Sequence, residues 1–567
     1  MNNLVELLRH RADEKPQSLV YTFLLNGETE DARLTYGELD RRARCLACHL
    51  EGHGVAGEPI PLLYPPSLDF IVGFFGCLYA GAIPVPLPEH RRRLPKIESA
   101  TRSSGAWLGL TNGAYEPRIR SLLAENPETQ NLQLVASDTL PDGSGADWKS
   151  PVLPDDDLAY LQYTSGSIGE SKGVMIRHSH LLHNFAVQQK ALQPTTASVL
   201  VSWLPAFHDL GLIYGLLLPI YSDFPCYLMA PAAFVMKPRR WLRALSKYRG
   251  THTAAPSFAY DLCCRRFKPE HYQDLDLSHW QVTVNGAEPV RWETQRQFAK
   301  TFGSYGFRWQ TFCPAYGLAE STLFVSTSAN GEESRAFEAD GAALEQGRIE
   351  PAGAASERVK SLVSCGPTYL GTEIAIVDPQ TERRCGPDTI GEIWIASASV
   401  AAGYWNRPEA SAETFQARLA DTREGPFLRT GDLGVCQNGE LFITGRLKDL
   451  IIIGGLNHYP QDIEFTVEES HPAIRPSRTA AFSIEGEEGE ELVLLAEART
   501  RWNGEPTDFN ELRKCVRAAV SAEHQLQVRD VVFIKGGTIP RTSSGKAQRK
   551  RCRALYLAGE LEYLERN

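Results

Sequence analysis

Hydroxyl groups, glycines and a lysine are concentrated in Thr164-Ser165-Gly166-Ser167-Ile168-Gly169-Glu170-Ser171-Lys172-Gly173, directly after the apolar run Leu158–Tyr163. Glycines free backbone N–H groups to wrap anionic oxygens and a lysine adds positive charge, so the segment is a candidate phosphate loop lying between a strand and a helix. It is not the Walker form, because no Gly-Lys-Ser/Thr follows four residues after a glycine. The competing reading, for this segment alone, is a plain polar turn. It does not stand alone. Tyr316-Gly317-Leu318-Ala319-Glu320 offers an aromatic face for a base and a carboxylate for a divalent ion. Mg²⁺ is usually bound by one or two carboxylates plus substrate phosphates. Arg429-Thr430-Gly431-Asp432-Leu433-Gly434 sets an acid in a glycine-flanked turn suited to two ribose hydroxyls. Gly445-Arg446-Leu447-Lys448-Asp449 follows, and Pro540-Arg541-Thr542-Ser543-Ser544-Gly545-Lys546 carries a lysine in a Gly/Ser turn that can swing. Five such segments in this order fit one nucleotide site better than five unrelated loops.

Other chemical-looking patterns read as structure. Cys45-Leu46-Ala47-Cys48-His49 matches a haem-attachment pattern, but Leu39, Ala43, Leu46, Ala47 and Leu50 mark one apolar helix face through it. His178, His180 and His183 lack an acidic or cysteine partner at ligand spacing and read as a helix-start cluster. Cys263 and Cys264 read as core thiols.

The elements that must position the chemistry alternate. Leu158–Tyr163, Val282–Val284, Glu373–Val377, Glu392–Ile395 and Leu441–Thr444 are strand-like, and Ser179–Leu192 is helical. The expected fold class is therefore α/β. After Gly445 comes a smaller α+β unit, with strands Leu492–Leu495 and Val531–Ile534 and a helix over Asp508–Glu523 between them. Ser328–Ser361, rich in Gly, Ala and Glu with weak periodicity, is a surface insertion or an ordered excursion.

Composition excludes several classes. With 567 residues the chain is too long for one ordinary core. Its net charge of −10 argues against broad nucleic-acid binding. The uncharged stretch Phe70–Pro88 is broken by Pro84, Pro86 and Pro88, leaving a core helix rather than a transmembrane span. Twelve scattered cysteines and a start without signal character point to a reducing, cytoplasmic setting.

The five segments in their order resemble those of the adenylate-forming superfamily, which comprises acyl-CoA synthetases, peptide-synthetase adenylation domains and firefly luciferases. The resemblance covers nearly the whole chain. Within that superfamily the closest resemblance is to the fatty acyl-AMP ligases, through Leu63–Phe70, Gly76–Gly81, Trp203–Leu212, Pro256–Asp261, Val284–Pro289 and Leu456–Glu464. It implies a large, multi-subdomain N-terminal adenylation domain over 1–445 and a small mobile α+β C-terminal domain over 446–567, with 328–361 as the ligase-specific insertion. It also implies roles. Thr164, Ser165, Gly166, Ser167, Gly169 and Lys172 would form the mobile phosphate loop. Gly286, Ala287 and Glu288 would lie beside adenine, with Tyr316 stacked on it next to Gly317. Glu320 would hold Mg²⁺, and Asp432 and Arg446 would contact ribose. Lys448 falls at the hinge and Lys546 at the catalytic lysine for adenylation. His208 either sits near the substrate carboxylate or only shapes the pocket, and Leu212–Ile220 lines an acyl tunnel or is ordinary core.

The implied activity uses ATP and Mg²⁺ to convert a medium- or long-chain fatty acid to acyl-AMP, and then transfers the acyl group to the phosphopantetheine of an acyl carrier protein, or of a polyketide or peptide synthase carrier domain, in trans. A fatty acyl-CoA synthetase, a degenerate nucleotide or acyl binder and a luciferase-like oxygenase are the alternatives on the same scaffold. An amino acid substrate fits less well, because adenylation domains usually carry an Asp just after the Phe where this chain has His208. Ile168 replaces a usual Thr, Glu170-Ser171 replace a variable residue and a proline, and Leu456 replaces a usual Arg. None of these changes touches the residues assigned to Mg²⁺, ribose or Lys546.

Overall fold

The computed structural model describes the chain apart from residues 89–93, 127–128, 142–144, 152–156, 165–170, 487–488, 543–544 and 565–567. Its centre is an eight-stranded sheet in the order Phe324–Thr327, Phe312–Gly317, Val282–Asn285, His252–Ala255, Leu200–Ser202, Cys226–Met229, Leu19–Leu25, Thr29–Thr35. The inner six strands run parallel, and an antiparallel strand closes each edge. Inner parallel strands are covered on both faces, and His252–Ala255 and Val282–Asn285 are buried along their whole length, the polar His252, Thr253, Thr283 and Asn285 included. Ligands of such sheets bind beyond the carboxyl ends of the strands. Gly286-Ala287-Glu288 and Tyr316-Gly317 occupy those ends.

A second parallel sheet is formed by Ile83–Pro86, Pro59–Leu62, Leu108–Thr111 and Gln133–Ala136. The stretch ending in three prolines is the buried helix Asp69–Tyr79 followed by the first of these strands. Among the described residues no helix is long and apolar enough to cross a membrane. The Cys45–His49 pattern lies in the helix Tyr36–Glu51, whose Leu39, Ala43, Leu46, Ala47 and Leu50 are buried.

One local expectation is corrected. The candidate phosphate loop does not run from a strand into a helix. Lys172–Arg177 is a second strand, paired antiparallel with Leu158–Thr164 so that Thr164 faces Lys172, and the helix His178–Leu192 starts only at its far end. Val174 and Ile176, both β-branched and fully buried, favour the extended form. Lys172 therefore stands at the tip of a hairpin rather than at a helix N-terminus.

The strands Glu373–Val377, Gly391–Ala396, Leu428–Gln437 and Glu440–Arg446 form an antiparallel sheet whose last strand leads into the turn Leu447–Asp449. Beyond that turn, Ile474–Gly486, Gly489–Ala498 and Val528–Ile534 form a three-stranded sheet with helices Pro460–Ser470, Phe509–His524 and Arg549–Ala558. Asp508 caps the middle helix by accepting from the N–H groups of Asn510 and Glu511. This sheet has hydrophobic cores of its own, around Leu494, Val516 and Phe533 on one face and Phe482, Leu495 and Ile534 on the other.

The stretch 328–361 is ordered. Ala336–Asp340 and Val359–Val363 pair antiparallel around the short helix Gly341–Glu345. Ala339 and Leu344 pack with Tyr459, and Lys360 reaches Asp462 at 2.8 Å, so the excursion touches residues on the far side of the turn.

Candidate functional site

Asp432 stands midway along the strand Leu428–Gln437 and is almost fully buried. Tyr316 Oη donates to its Oδ2 at 2.8 Å, and Arg446 Nε donates to its Oδ1 at 2.6 Å. The strand pairing that sets Asp432 opposite Arg446 builds the second contact into the sheet. The Asp432 charge raises the Arg446 guanidinium further above its ordinary value, and burial raises the Tyr316 phenol. Gly317 is required next to Tyr316, because a Cβ there would lie 1.7 Å from the Leu323 carbonyl oxygen.

Glu320 sits in the one-turn helix Ala319–Ser321. That turn ends at Thr322, a buried β-branched residue with φ +65°, a conformation that only surrounding contacts can maintain. The Thr322 hydroxyl donates to the Ser399 carbonyl at 2.7 Å. Desolvation raises the Glu320 carboxyl, so a bound cation would be favourable there. Tyr404 Oη donates to Glu320 Oε1 at 3.0 Å, while Lys172 Nζ lies 4.4 Å from the centre of the Tyr404 ring.

The segment 401–405 is a strap between these parts. Ala401 N–H donates to the Glu320 carbonyl, Ala402 N–H to Met175 O, Met175 N–H to Gly403 O and Trp405 N–H to Gly173 O, all at 2.8–3.0 Å. The hairpin is also held from its other side, where Ser171 N–H donates to Ser99 Oγ and the Ser103 and Tyr163 hydroxyls meet at 2.6 Å. Thr164 and Lys172 line the cleft, whereas the candidate residues Ser165, Gly166, Ser167 and Gly169, with Ile168 and Glu170, lie outside the described residues.

The cleft encloses about 1490 Å³ and is lined from both sides of the Leu447–Asp449 turn. Gly286, Ala287 and Glu288 form one wall, and Ala287 adopts φ +64°. Glu288 accepts from the Phe258 N–H at 2.7 Å, and burial raises its carboxyl. Lys546 enters from the small sheet's side. Protein surrounding it, and then the Arg446 charge, lower its ammonium from the ordinary value, opposed by Asp432, Glu288 and Asp209. Its side chain keeps contact with water in the cleft, so it is a cation at depth rather than a sealed one.

His208 Nδ1 meets Asp209 Oδ1 at 2.6 Å. Burial alone would raise the Asp209 carboxyl. The His208 charge and hydrogen bond, the Leu210 N–H and Lys546 outweigh it and hold the group below the usual carboxylate value. Gly211 lets this turn close, since a Cβ there would lie 2.1 Å from the Pro205 carbonyl oxygen. The run Leu212–Ile220 is core: Leu212, Ile213, Tyr214 and Leu217 are fully buried in a π-helix. The apolar wall beside His208 comes instead from Phe207, Leu210, Val284, Ala315, Leu323 and Phe324. Lys448 lies in the turn between the two units and lines the cleft. Its neighbour Asp449 accepts from Arg549, which also forks onto Glu464 at 2.7 Å through two nitrogens.

Among the described residues no group of three or more His, Cys, Asp or Glu gathers at metal-ligand spacing. His178 accepts from the Leu4 N–H and His183 meets Ser399 Oγ, so these histidines serve packing and turns. The donor set at Glu320 suits Mg²⁺, which keeps several waters and takes its other oxygens from phosphates.

The AMP-binding enzyme family matches residues 8–405, and an AMP domain described as Disco-interacting protein 2-like matches residues 448–566. The chain is 46% identical to medium-chain-fatty-acid–[acyl-carrier-protein] ligase JamA of Moorena producens (strain JHB), over 100% of this chain and 96% of that relative. It is 36% identical to long-chain-fatty-acid–AMP ligase FadD32 of Mycolicibacterium smegmatis, over 99% and 95% respectively. The solved structure of the fatty acyl-adenylate ligase from L. pneumophila in complex with acyl adenylate and pyrophosphate is similar with a TM-score of 0.77 at 35% identity, covering 100% of this chain and 97% of that one.

Sequence reasoning overlooked Tyr404 and Asp209. The signal for the first was a tyrosine between Gly403 and Trp405; for the second, an acid adjoining a histidine already singled out. Tyr404 joins the cation of the hairpin to the carboxylate of the Glu320 turn. Tyr404→Phe is expected to weaken Mg²⁺ use in ATP–pyrophosphate exchange about tenfold, the scale of one lost hydrogen bond to a charged group. Tyr404→Leu, which also removes the ring beneath Lys172, is expected to lose more. Mg²⁺ titrations unchanged in both variants would show that the strap contributes nothing to the site.

Proposed function

Because the chain belongs to the AMP-binding enzymes, and among them to the fatty acyl-AMP ligases, we propose that its cleft joins a fatty acid to AMP and then passes the acyl group to a carrier protein. The observation that carries this reading is Lys546, which reaches from the small sheet into the cleft that Asp432, Glu288 and Asp209 line from the large one. A carboxylate is already ionised near neutral pH, so activation needs no base. It needs two anions held together with their charge offset, which positioned cations supply.

A carboxylate oxygen of the fatty acid bonds to the α-phosphorus of ATP while the bond to pyrophosphate breaks. A phosphopantetheine thiol then adds its sulfur to the acyl carbon, releasing AMP and a proton. Asp432 and Arg446 hold the ribose, with Tyr316, Gly317 and the Gly286–Glu288 wall around adenine. Lys172, with Thr164, Ser165, Gly166, Ser167 and Gly169, cradles the outgoing phosphates. Lys546 offsets charge at the reacting phosphorus. Glu320 holds Mg²⁺, which when bound neutralises phosphate charge. His208, tied to Asp209, orients the substrate carboxylate, and the apolar wall beside it receives the acyl chain.

We assign 1–445 to the adenylation domain and 446–567 to the domain that moves about Lys448. Residues 328–361 restrain that motion, a role supported by the Lys360–Asp462 pair and by the packing of Leu344 on Tyr459. The carrier, either free or part of a polyketide or peptide synthase, acts in trans. The described cysteines are free thiols, in keeping with a cytoplasmic setting.

Two measurements test this reading. With ATP, Mg²⁺ and a panel of fatty acids, acyl-AMP is expected to accumulate in the presence of CoA and to be consumed by a phosphopantetheinylated carrier. Efficient acyl-CoA formation would make the protein a synthetase instead. The second concerns pH. Lys546 acts as a cation and its pKa is lowered, so acyl-AMP formation is expected to fall on the alkaline side before an ordinary lysine would titrate. Lys546→Arg is expected to carry that fall to higher pH. An identical alkaline limb in the variant would remove Lys546 as its origin.

A further inference from the structure

The basic residues of this acidic chain are unevenly spread. From Lys237 to Lys268 there are nine lysines and arginines and one acid, Asp261. That window carries +8 in a chain of −10, leaving −18 on the remainder. Two of its cations are spent internally. Arg240 is buried on Glu28 at 3.2 Å, and Arg265 pairs with Asp261 at 3.0 Å and approaches Glu469 at 3.8 Å. Of the other seven, Lys237, Arg243, Lys247, Arg249 and Lys268 are exposed, Arg239 is half-buried, and Arg266 donates to the carbonyls of Val235 and Met236 at 3.0 and 2.9 Å.

Those two carbonyls belong to an apolar knuckle. Val235 is 47% and Met236 60% exposed, at the end of the helix Pro231–Met236, among the few large hydrophobic side chains left open to water. The knuckle borders the reaction cleft, since Val235, Leu262, Arg265 and Arg266 line the same cavity as Glu288 and Lys546. An apolar contact bordered by Arg266 and Lys237 at the mouth of an active cleft has the anatomy of a docking site, with a small apolar centre and charge beside it that sets partner choice and association rate.

We propose that the surface formed by Val235, Met236, Lys237, Arg243, Arg266 and Lys268 is where the carrier protein docks, and that it selects a carrier with an acidic face. The proposal rests on the carrier-loading reading above and adds the place and the charge of the encounter. The outward cations of this window favour opposite charge on the partner, which the acidic remainder of the chain would repel. Met236 suits such a contact, its unbranched thioether adapting to a partner that binds and leaves each cycle.

The test uses the full chain with an acidic phosphopantetheinylated carrier and the double variant Lys237→Glu/Lys268→Glu. Arg551→Glu/Arg553→Glu, with the same charge change at two exposed positions of the last helix away from the cleft, is the control. ATP–pyrophosphate exchange is expected to be unchanged in both. The KM for the carrier is expected to rise about tenfold or more in the first variant only, with its salt dependence flattened. Acyl transfer from the enzyme to free pantetheine, which needs no docking, is expected to be unaffected. Equal carrier KM values in wild type and both variants would overturn the docking site while leaving carrier loading intact. An equal rise in both variants would reduce the effect to net charge and overturn it too. Failure of the wild type to load any carrier, with exchange active, would overturn the carrier reading and the docking site together.

Discussion

The carboxylate of Asp432 is held between Tyr316 at the end of a central parallel strand and Arg446 at the end of the last antiparallel strand. Everything else about the site is arranged around this contact. It joins two sheets that share no strand, and it does so one residue before the turn that leads into the small unit. A buried carboxylate needs both its oxygens satisfied, so the three residues must stay together for either sheet to keep its end in place. The carboxyl end of the central strand, the turn Leu447–Asp449 and the side from which Lys546 enters are thereby referred to one fixed point. Arg446, charged at any accessible pH, also helps to lower the Lys546 pKa across the cleft.

A second tie runs through Tyr404. The strap 401–405 continues the sheet of the phosphate hairpin by backbone pairing and at the same time caps the Glu320 turn. The base of the hairpin is anchored on both sides, by the strap and by Ser99 and Ser103. Strain at Thr322, maintained by its bond to Ser399, fits a turn that presents a carboxylate instead of completing a helix. The fixed point and the strap divide the labour: one ties the ends of two sheets together, the other ties the hairpin carrying Lys172 to the turn carrying Glu320.

Much of this was legible in the residues themselves. The alternation of apolar runs with helical periods gave the α/β class, and the order of the glycine-rich and acidic segments brought Tyr316, Glu320, Asp432, Arg446 and Lys546 to one cleft, as the structure has them. The misses have physical causes. Lys172–Arg177 was overlooked as a strand because a six-residue run before a long helix merges with the helical pattern, and only pairing with Leu158–Thr164 makes it extended. Leu212–Ile220 is apolar on every side, so its sequence does not distinguish a tunnel wall from core; burial decides for core. The stretch 328–361 has too few apolar residues to announce strands, and it is ordered through partners distant in sequence, Tyr459 and Asp462 among them. Tyr404 was overlooked because its one local signal, the place between Gly403 and Trp405, does not reveal that its hydroxyl meets Glu320 and its ring meets Lys172.

The central claim is that Lys546 is delivered by the small unit for the first half of the reaction and is not required for the second. The most direct measurement compares the two halves in Lys546→Ala: acyl-AMP formation from ATP and fatty acid, and acyl transfer to a carrier from acyl-AMP supplied ready-made. Formation is expected to be lost while transfer proceeds at close to the wild-type rate. Equal loss of both, or formation that survives the substitution, would contradict it.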